Sequence, residues 1–357
     1  MPVQGRTRCP RRTGYAPNRT TAATRPANPS GKAFDASAPN PTVTFLRSIG
    51  AVAAASGDGL IDWDAALDAA TAATPPGSIE LDADEQAAIA DDVRAAHAAI
   101  EAASGSDFAV PSPVEVQNRH HWMEANVDIF RQALGPLEDR PVLLPGVAGR
   151  VNTATMATLL SVLGRYVLGQ YDPRLFDDGP PRLYFVLPNL RHAATVLDVE
   201  EARFRRWIAF HEVAHAAEFE AAPWLVPYLE GRIERTVAAL GAGDIDTGAI
   251  RDLDAAMTAV EGYAEFVMDR AFDDRADDLR EKLDARRRSG GPLLAIVRRL
   301  LGLGLKRRQY ERGKAFFDAV AEARGEAAVG AVWRDEDALP RPREIENPER
   351  WIARVDP

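Results

Sequence analysis

The sequence predicts a mainly α protein, α+β in detail: a helical core with a small sheet, preceded by an added N-terminal helical region. Three observations carry this reading. Segments such as 82–103 and 199–222 lack Gly and Pro and repeat apolar residues at helical spacing. Only 182–190 alternates clearly with a period of two. Of the 357 residues, 46% are hydrophobic, enough for one large domain or two ordinary ones. The chain divides into a basic tail without order over 1–41, a helical region over 42–149 and a core over 150–357.

Taken in order, the tail is rich in Pro, Arg, Thr, Asn and Ala and has no periodicity. Order begins near Thr42, where Phe45, Leu46, Ile49 and Val52 suit a short helix. Asp62 caps a second helix carrying Trp63 and Leu67, ended by Pro75-Pro76-Gly77. The segment 82–103 places Ile89, Val93, Ala96 and Ile100 on one stripe, and Gly105 stops it. Ser112, Pro113 and Glu115 read as a capping box opening a helix to about Ala133, with Trp122, Ala125, Ile129 and Ala133 inward. His120 and His121 are adjacent, so they diverge by about 100° on a helix and cannot share one metal. His97 reads as a partly exposed helix residue.

Pro141 to Pro145 suits a short strand or extended loop, and Asn152 to Leu168 a helix buried on most sides. Gly169 to Pro173 reads as a turn. Residues 182–190 form the expected strand, and Pro188 marks an edge or an exit because it has no N–H for a ladder. An edge strand there could pair with an extended peptide. Asp198, three residues before Glu201, reads as the capping box of a helix running to Ala222. Two further helices follow, one with Leu229, Ile233, Val237 and Leu240 on its stripe and one from Ala249 to about Phe272. Leu293 to Leu301 is apolar, Lys306 to Arg324 is helical, and the chain closes on a proline-punctuated C-terminal segment.

The helix after Asp198 contains HEVAH at 211–215. A four-residue spacing puts His211 and His215 on one helix face, one turn apart. Two neutral imidazoles so placed can hold Zn²⁺, with Glu212 beside a metal-bound water as general base. Phe204 and Ile208 continue the histidine stripe, so the ligand face is a core-facing one. A catalytic zinc takes three protein ligands, and the positions that would extend the motif along the helix hold Glu218 and Ala221. Glu218 reads as a helper to the ligands or a surface residue. The third ligand must come from elsewhere. Met257, Glu261, Ala264, Glu265 and Met268 share one face of a later helix, and a carboxylate on an apolar stripe needs a partner. Glu261 is the expected ligand, with Glu265 and Asp269 as alternatives. Glu265, one turn on, suits an acid orienting a metal-bound histidine. Tyr310 is a candidate donor to a developing oxyanion, though it reads more readily as a tyrosine at the core edge; Tyr263 points off the Glu261 face.

Charge and cysteine content bound the rest. Six arginines and Lys32 within residues 1–42 oppose Asp35 alone, so that stretch carries +6 and the remainder −16 of the net −10. An acidic body argues against nucleic acid as a partner. No stretch is long and apolar enough to span a membrane, and the N-terminus lacks the apolar run of a signal peptide. Cys9 is the single cysteine, consistent with a reducing, cytoplasmic setting.

Several stretches together resemble one family: GQYD (169–172), LYFVLPNL (183–190), FRRWIAFHEVAHAAEF (204–219), PWL (223–225), EGYAEFVMD (261–269), KRRQYERGKAFFDAV (306–320) and NPERWIARV (347–355). They look like the zincin-like type 2 metallopeptidases, some members of which are labelled as associated with deazaflavin-coenzyme biosynthesis. The resemblance covers residues 43–357. It implies a zincin-like metallopeptidase core over 150–357 and a zinc hydrolase acting on a peptide or protein. By position it carries over His211, Glu212, His215 and Glu261. The alternative reading is a catalytically silent scaffold of the same fold, or a maturation factor linked to coenzyme biosynthesis.

Overall fold

The computed structural model describes residues 3–5, 60–138, 145–272, 278–282 and 306–357. The expected short helix at 42–52 and the apolar run 293–301 lie outside them, as does nearly all of 141–145. The elements are β1 (Val3–Gly5), α1 (Trp63–Ala73), α2 (Ala83–Ser104), β2 (Val114–Gln117), α3 (Arg119–Glu138), α4 (Pro145–Tyr166), β3 (Gly169–Asp172) and β4 (Arg182–Val186). They continue with α5 (Leu187–Leu197), α6 (Glu201–Ala221), α7 (Leu225–Gly241), α8 (Thr247–Ala271), α9 (Lys306–Arg324), two 3-10 turns, α10 (Pro342–Ile345) and α11 (Pro348–Val355). The protein is mainly helical with a small sheet, as the sequence predicts.

Local chemistry sets the first helices. Asp62 accepts from the Ala65 amide and caps α1. Asp82 and Glu85 form a reciprocal capping box on α2, and Gly105 ends it in the left-handed conformation at φ 69°. The expected stripe of α2, from Ile89 to Ile100, is buried. His97 lies beside it, its Nε2 2.8 Å from the Phe108 carbonyl.

Beyond that point several expectations are corrected. Ser112-Pro113 does not open a helix. Val-Glu-Val-Gln instead forms β2, with Val114 and Val116 in the core and Gln117 donating to Glu115 on the other face. α3 begins at Arg119, and its buried stripe is Trp122, Met123, Asn126 and Val127 rather than Trp122, Ala125, Ile129 and Ala133. His120 Nε2 lies 2.6 Å from the Thr74 carbonyl.

Gly169 to Asp172 is a strand, not a turn. It pairs antiparallel with β4, while β2 pairs parallel with β4 on the other side. β4 is therefore interior, and β3 is an edge. All of Leu183, Tyr184, Phe185 and Val186 are buried, as in a strand covered on both faces. Pro188 does not end a strand; it sits in the first turn of α5, where its missing N–H breaks no helical bond. Val3–Gly5, inside the segment expected to lack order, extends the sheet by pairing parallel to β2.

Two apolar clusters cover the faces of β4. The larger runs from Ile89 and Val93 through Leu183 and Phe185 to Phe204, Val260, Phe317 and Trp351. The smaller joins α1, α3 and α4 through Trp63, Trp122 and Leu160 to Val186. Among the described residues, elements from before and after residue 150 thus share one sheet and contribute to both clusters. Leu240, expected on the inward stripe of α7, is 53% exposed. No described helix is long and apolar enough to cross a membrane.

Candidate metal centre

α6 carries the histidines. Its cap is not Asp198, which closes α5 at φ 52°; the Glu200 carboxylate accepts from the Ala202 and Arg203 amides instead. The helix then runs without Gly or Pro to Ala221, and Phe204, Ile208, Phe210 and Val213 bury it among its neighbours. This packing fixes its rotation, and the face bearing His211 and His215 turns toward α8.

The structure brings His211, His215 and Glu261 together, each offering one ligand atom, with all three atoms within 4.8 Å of one another. The two Nε2 atoms are 3.3 Å apart, and His211 Nε2 is 3.8 Å from Glu261 Oε2. A tetrahedral ion with bonds of about 2.0–2.1 Å separates its ligand atoms by about 3.3 Å. The donor set therefore fits a zinc-type ion. Glu261 is nearly inaccessible on an apolar helix face, whereas the histidine side chains keep 16% and 13% of their surface. The centre is thus shielded from behind and open in front.

His215 is held from its far side. Its Nδ1 lies 2.8 Å from Glu218 Oε2, one turn along α6, and Glu218 is fully buried. Burial alone would lower the His215 pKa, but the carboxylate of Glu218 outweighs it and raises the value to about 9. Burial raises Glu218 to about 7, against the opposing pull of His215. Glu265 is engaged by an arginine. Its Oε2 accepts from Arg280 Nε at 2.8 Å, and Asp269 lies 2.5 Å from Arg280 Nη2 and 3.0 Å from Lys314 Nζ. The acid at His215 is Glu218, whose three-residue offset from His215 is the signal that could have found it.

Glu212 faces the sheet edge. The Val186 amide donates to the Leu168 carbonyl, so residues 168, 170 and 172 bond to β4 while 169 and 171 point outward. The outward Tyr171 N–H donates to Glu212 Oε2 at 2.8 Å. Gly169 makes room for this: a Cβ there would sit 2.8 Å from Glu212 Cγ and 3.0 Å from Ile208 Cγ2. The sequence reading gives neither Gly169 nor Tyr171 a part in the site, because that part depends on β3 being an edge. Gln170 anchors that edge to α3, accepting from Trp122 Nε1 at 2.7 Å and donating to Asn126 Oδ1 at 2.9 Å.

Tyr263 is buried against Phe317 and Trp333, and burial, with the Glu218 charge adding to it, pushes its pKa up. Tyr310 belongs to α9, and its side chain lies outside the described residues.

A buried HExxH helix, an edge strand touching its glutamate and a second carboxylate from a later helix define the scaffold of a metallohydrolase. The chain belongs to the zincin-like metallopeptidase family, whose model matches residues 61–249 and 243–352. It is also similar to a crystal structure from Chloroflexus aurantiacus, described as a candidate hydrolase with a novel fold. The two share 29% sequence identity at a TM-score of 0.66, over 89% of this chain and 98% of that one. No curated protein matches at a significant level.

Proposed function

We propose that the protein is a zinc-dependent peptidase that hydrolyses amide bonds, with Glu212 as general base. The observation that carries this is the convergence of His211, His215 and Glu261 on one ion-sized space, on the helix that also carries Glu212. Zinc, when bound there, would polarise a carbonyl and acidify a water. Glu212, steadied by the Tyr171 amide, takes the proton of the attacking water and hands it to the leaving amine. β3 lies at a sheet edge beside Glu212; its Tyr171 N–H is taken by that base, so an extended peptide would align there through the remaining outward groups, which supports a peptide or protein substrate. An intact base favours an enzyme over a silent scaffold, since a structural metal needs no carboxylate poised beside it.

The test joins metal analysis of the purified protein to cleavage profiling on a proteome-derived peptide library. Glu212→Gln should keep zinc and fold while lowering turnover by about 10²-fold or more. A zinc-loaded wild type that cleaves nothing, or a Glu212→Gln variant with undiminished function, supports the scaffold reading instead.

A further inference from the structure

We infer that Glu218 is the positioning residue of this centre: its carboxylate fixes the tautomer and the plane of His215 and thereby sets metal affinity. The inference rests on the metallohydrolase reading above. Three observations converge on it. Glu218 has none of its surface exposed, and a carboxylate so placed is costly unless charge or hydrogen bonds compensate. Its Oε2 lies 2.8 Å from Nδ1 of His215, the nitrogen opposite the one that faces His211. Among the described residues its other oxygen, Oε1, is buried without a hydrogen-bond partner, so the bond to His215 is what compensates this carboxylate.

The chemistry follows from the imidazole ring. A proton held on Nδ1 by an acceptor leaves the Nε2 lone pair pointing at the metal position. An acceptor oxygen on Nδ1 also increases the basicity of that lone pair. Because Glu218 stands one turn from His215 on the same helix, the bond also pins the ring plane without help from a loop. Glu265 occupies the position expected for such an acid, yet Arg280 holds it.

The experiment measures zinc affinity of the full-length protein by competition with a chromophoric chelator, for wild type, Glu218→Gln, Glu218→Ala and Glu265→Gln. Visible spectra of the cobalt-loaded forms report the ligand field, and far-UV circular dichroism of the metal-free forms reports the fold. Glu218→Ala should weaken zinc binding by about 10–100-fold and shift the cobalt bands. Glu218→Gln, which keeps the shape and an acceptor but not the charge, should weaken it by about 10-fold with the fold intact, and so carries the test if the alanine variant unfolds. Glu265→Gln should leave affinity and spectrum unchanged. Wild-type affinity and spectrum in Glu218→Gln, or an equal loss in Glu265→Gln, would overturn the assignment while wild type still binds zinc. A wild type that binds no zinc would overturn the metallohydrolase reading, and this inference with it.

Discussion

Adding one methyl group at Gly262 should loosen the protein and disturb its metal centre together. α8 and α9 cross at Gly262 and Gly313, both buried. A Cβ on Gly262 would lie 2.3 Å from the Gly313 carbonyl carbon, 2.4 Å from its Cα and 2.8 Å from the Lys314 nitrogen. Carbon atoms in contact stay about 3.5 Å apart or more, so the helices would have to separate by about 1.2 Å. Every obstructing atom is backbone, so no rotamer change can relieve the clash. Overpacking of this kind costs about 3 kcal/mol, the upper end of the usual range, while replacing a helical glycine with alanine returns about 1 kcal/mol. Gly262→Ala should therefore lose about 2 kcal/mol, read by denaturant unfolding of the metal-free protein. Glu261 is its chain neighbour, so zinc affinity should fall as well. Gly231 in α7 is the control: nothing lies within 4 Å of its Cβ position, and Gly231→Ala should gain up to about 1 kcal/mol. If Gly262→Ala proves as stable as wild type and binds zinc equally well, the helix crossing does not constrain the centre and the reasoning fails.

Two further outcomes can be checked with ordinary assays. Gly169→Ala would press on Glu212 Cγ and Oε1 and on Ile208 Cγ2, its three nearest atoms and none of them a ligand atom, so turnover on a cleaved peptide should drop at least about 10-fold at unchanged zinc content. Zinc loss equal to the activity loss would show that the edge strand supports the ligands rather than the base. At the C-terminus, Glu344 is buried; Arg354 donates to both its oxygens at 2.7 Å and the Arg341 amide donates at 2.9 Å. Burial would raise the Glu344 pKa, but these donors outweigh it and lower the value. A native pKa below the unfolded one means the contribution is complete above the ordinary carboxylate range and disappears as pH falls through the lowered value. Glu344→Gln should cost about 1–3 kcal/mol at neutral pH, with the gap to wild type closing in acid. A gap that does not change with pH would argue against the charge.

What the sequence disclosed is what neighbours in the chain decide among themselves. Asp62 over α1 and the Gly105 stop are a local hydrogen bond and a backbone preference, and both stand. The HEVAH helix and the stripe that turns Glu261 inward also follow from spacing alone. The misreadings share a different cause. Asp198 and Glu200 both offer a cap, and only the α5 helix that ends at Asp198 decides between them. Gly-Gln-Tyr-Asp has turn composition yet becomes a strand because β4 lies beside it. Glu218 and Glu265 sit at equally plausible offsets, and it is Arg280, distant along the chain, that claims the second.

The grip on Glu212 is made by a peptide N–H of residue 171 and not by its phenol ring. Whatever side chain stands at 171, the amide is still there to donate. Among the twenty residues only proline lacks that hydrogen, so the tether on the base is written into the main chain and is indifferent to nearly every mutation at its own position.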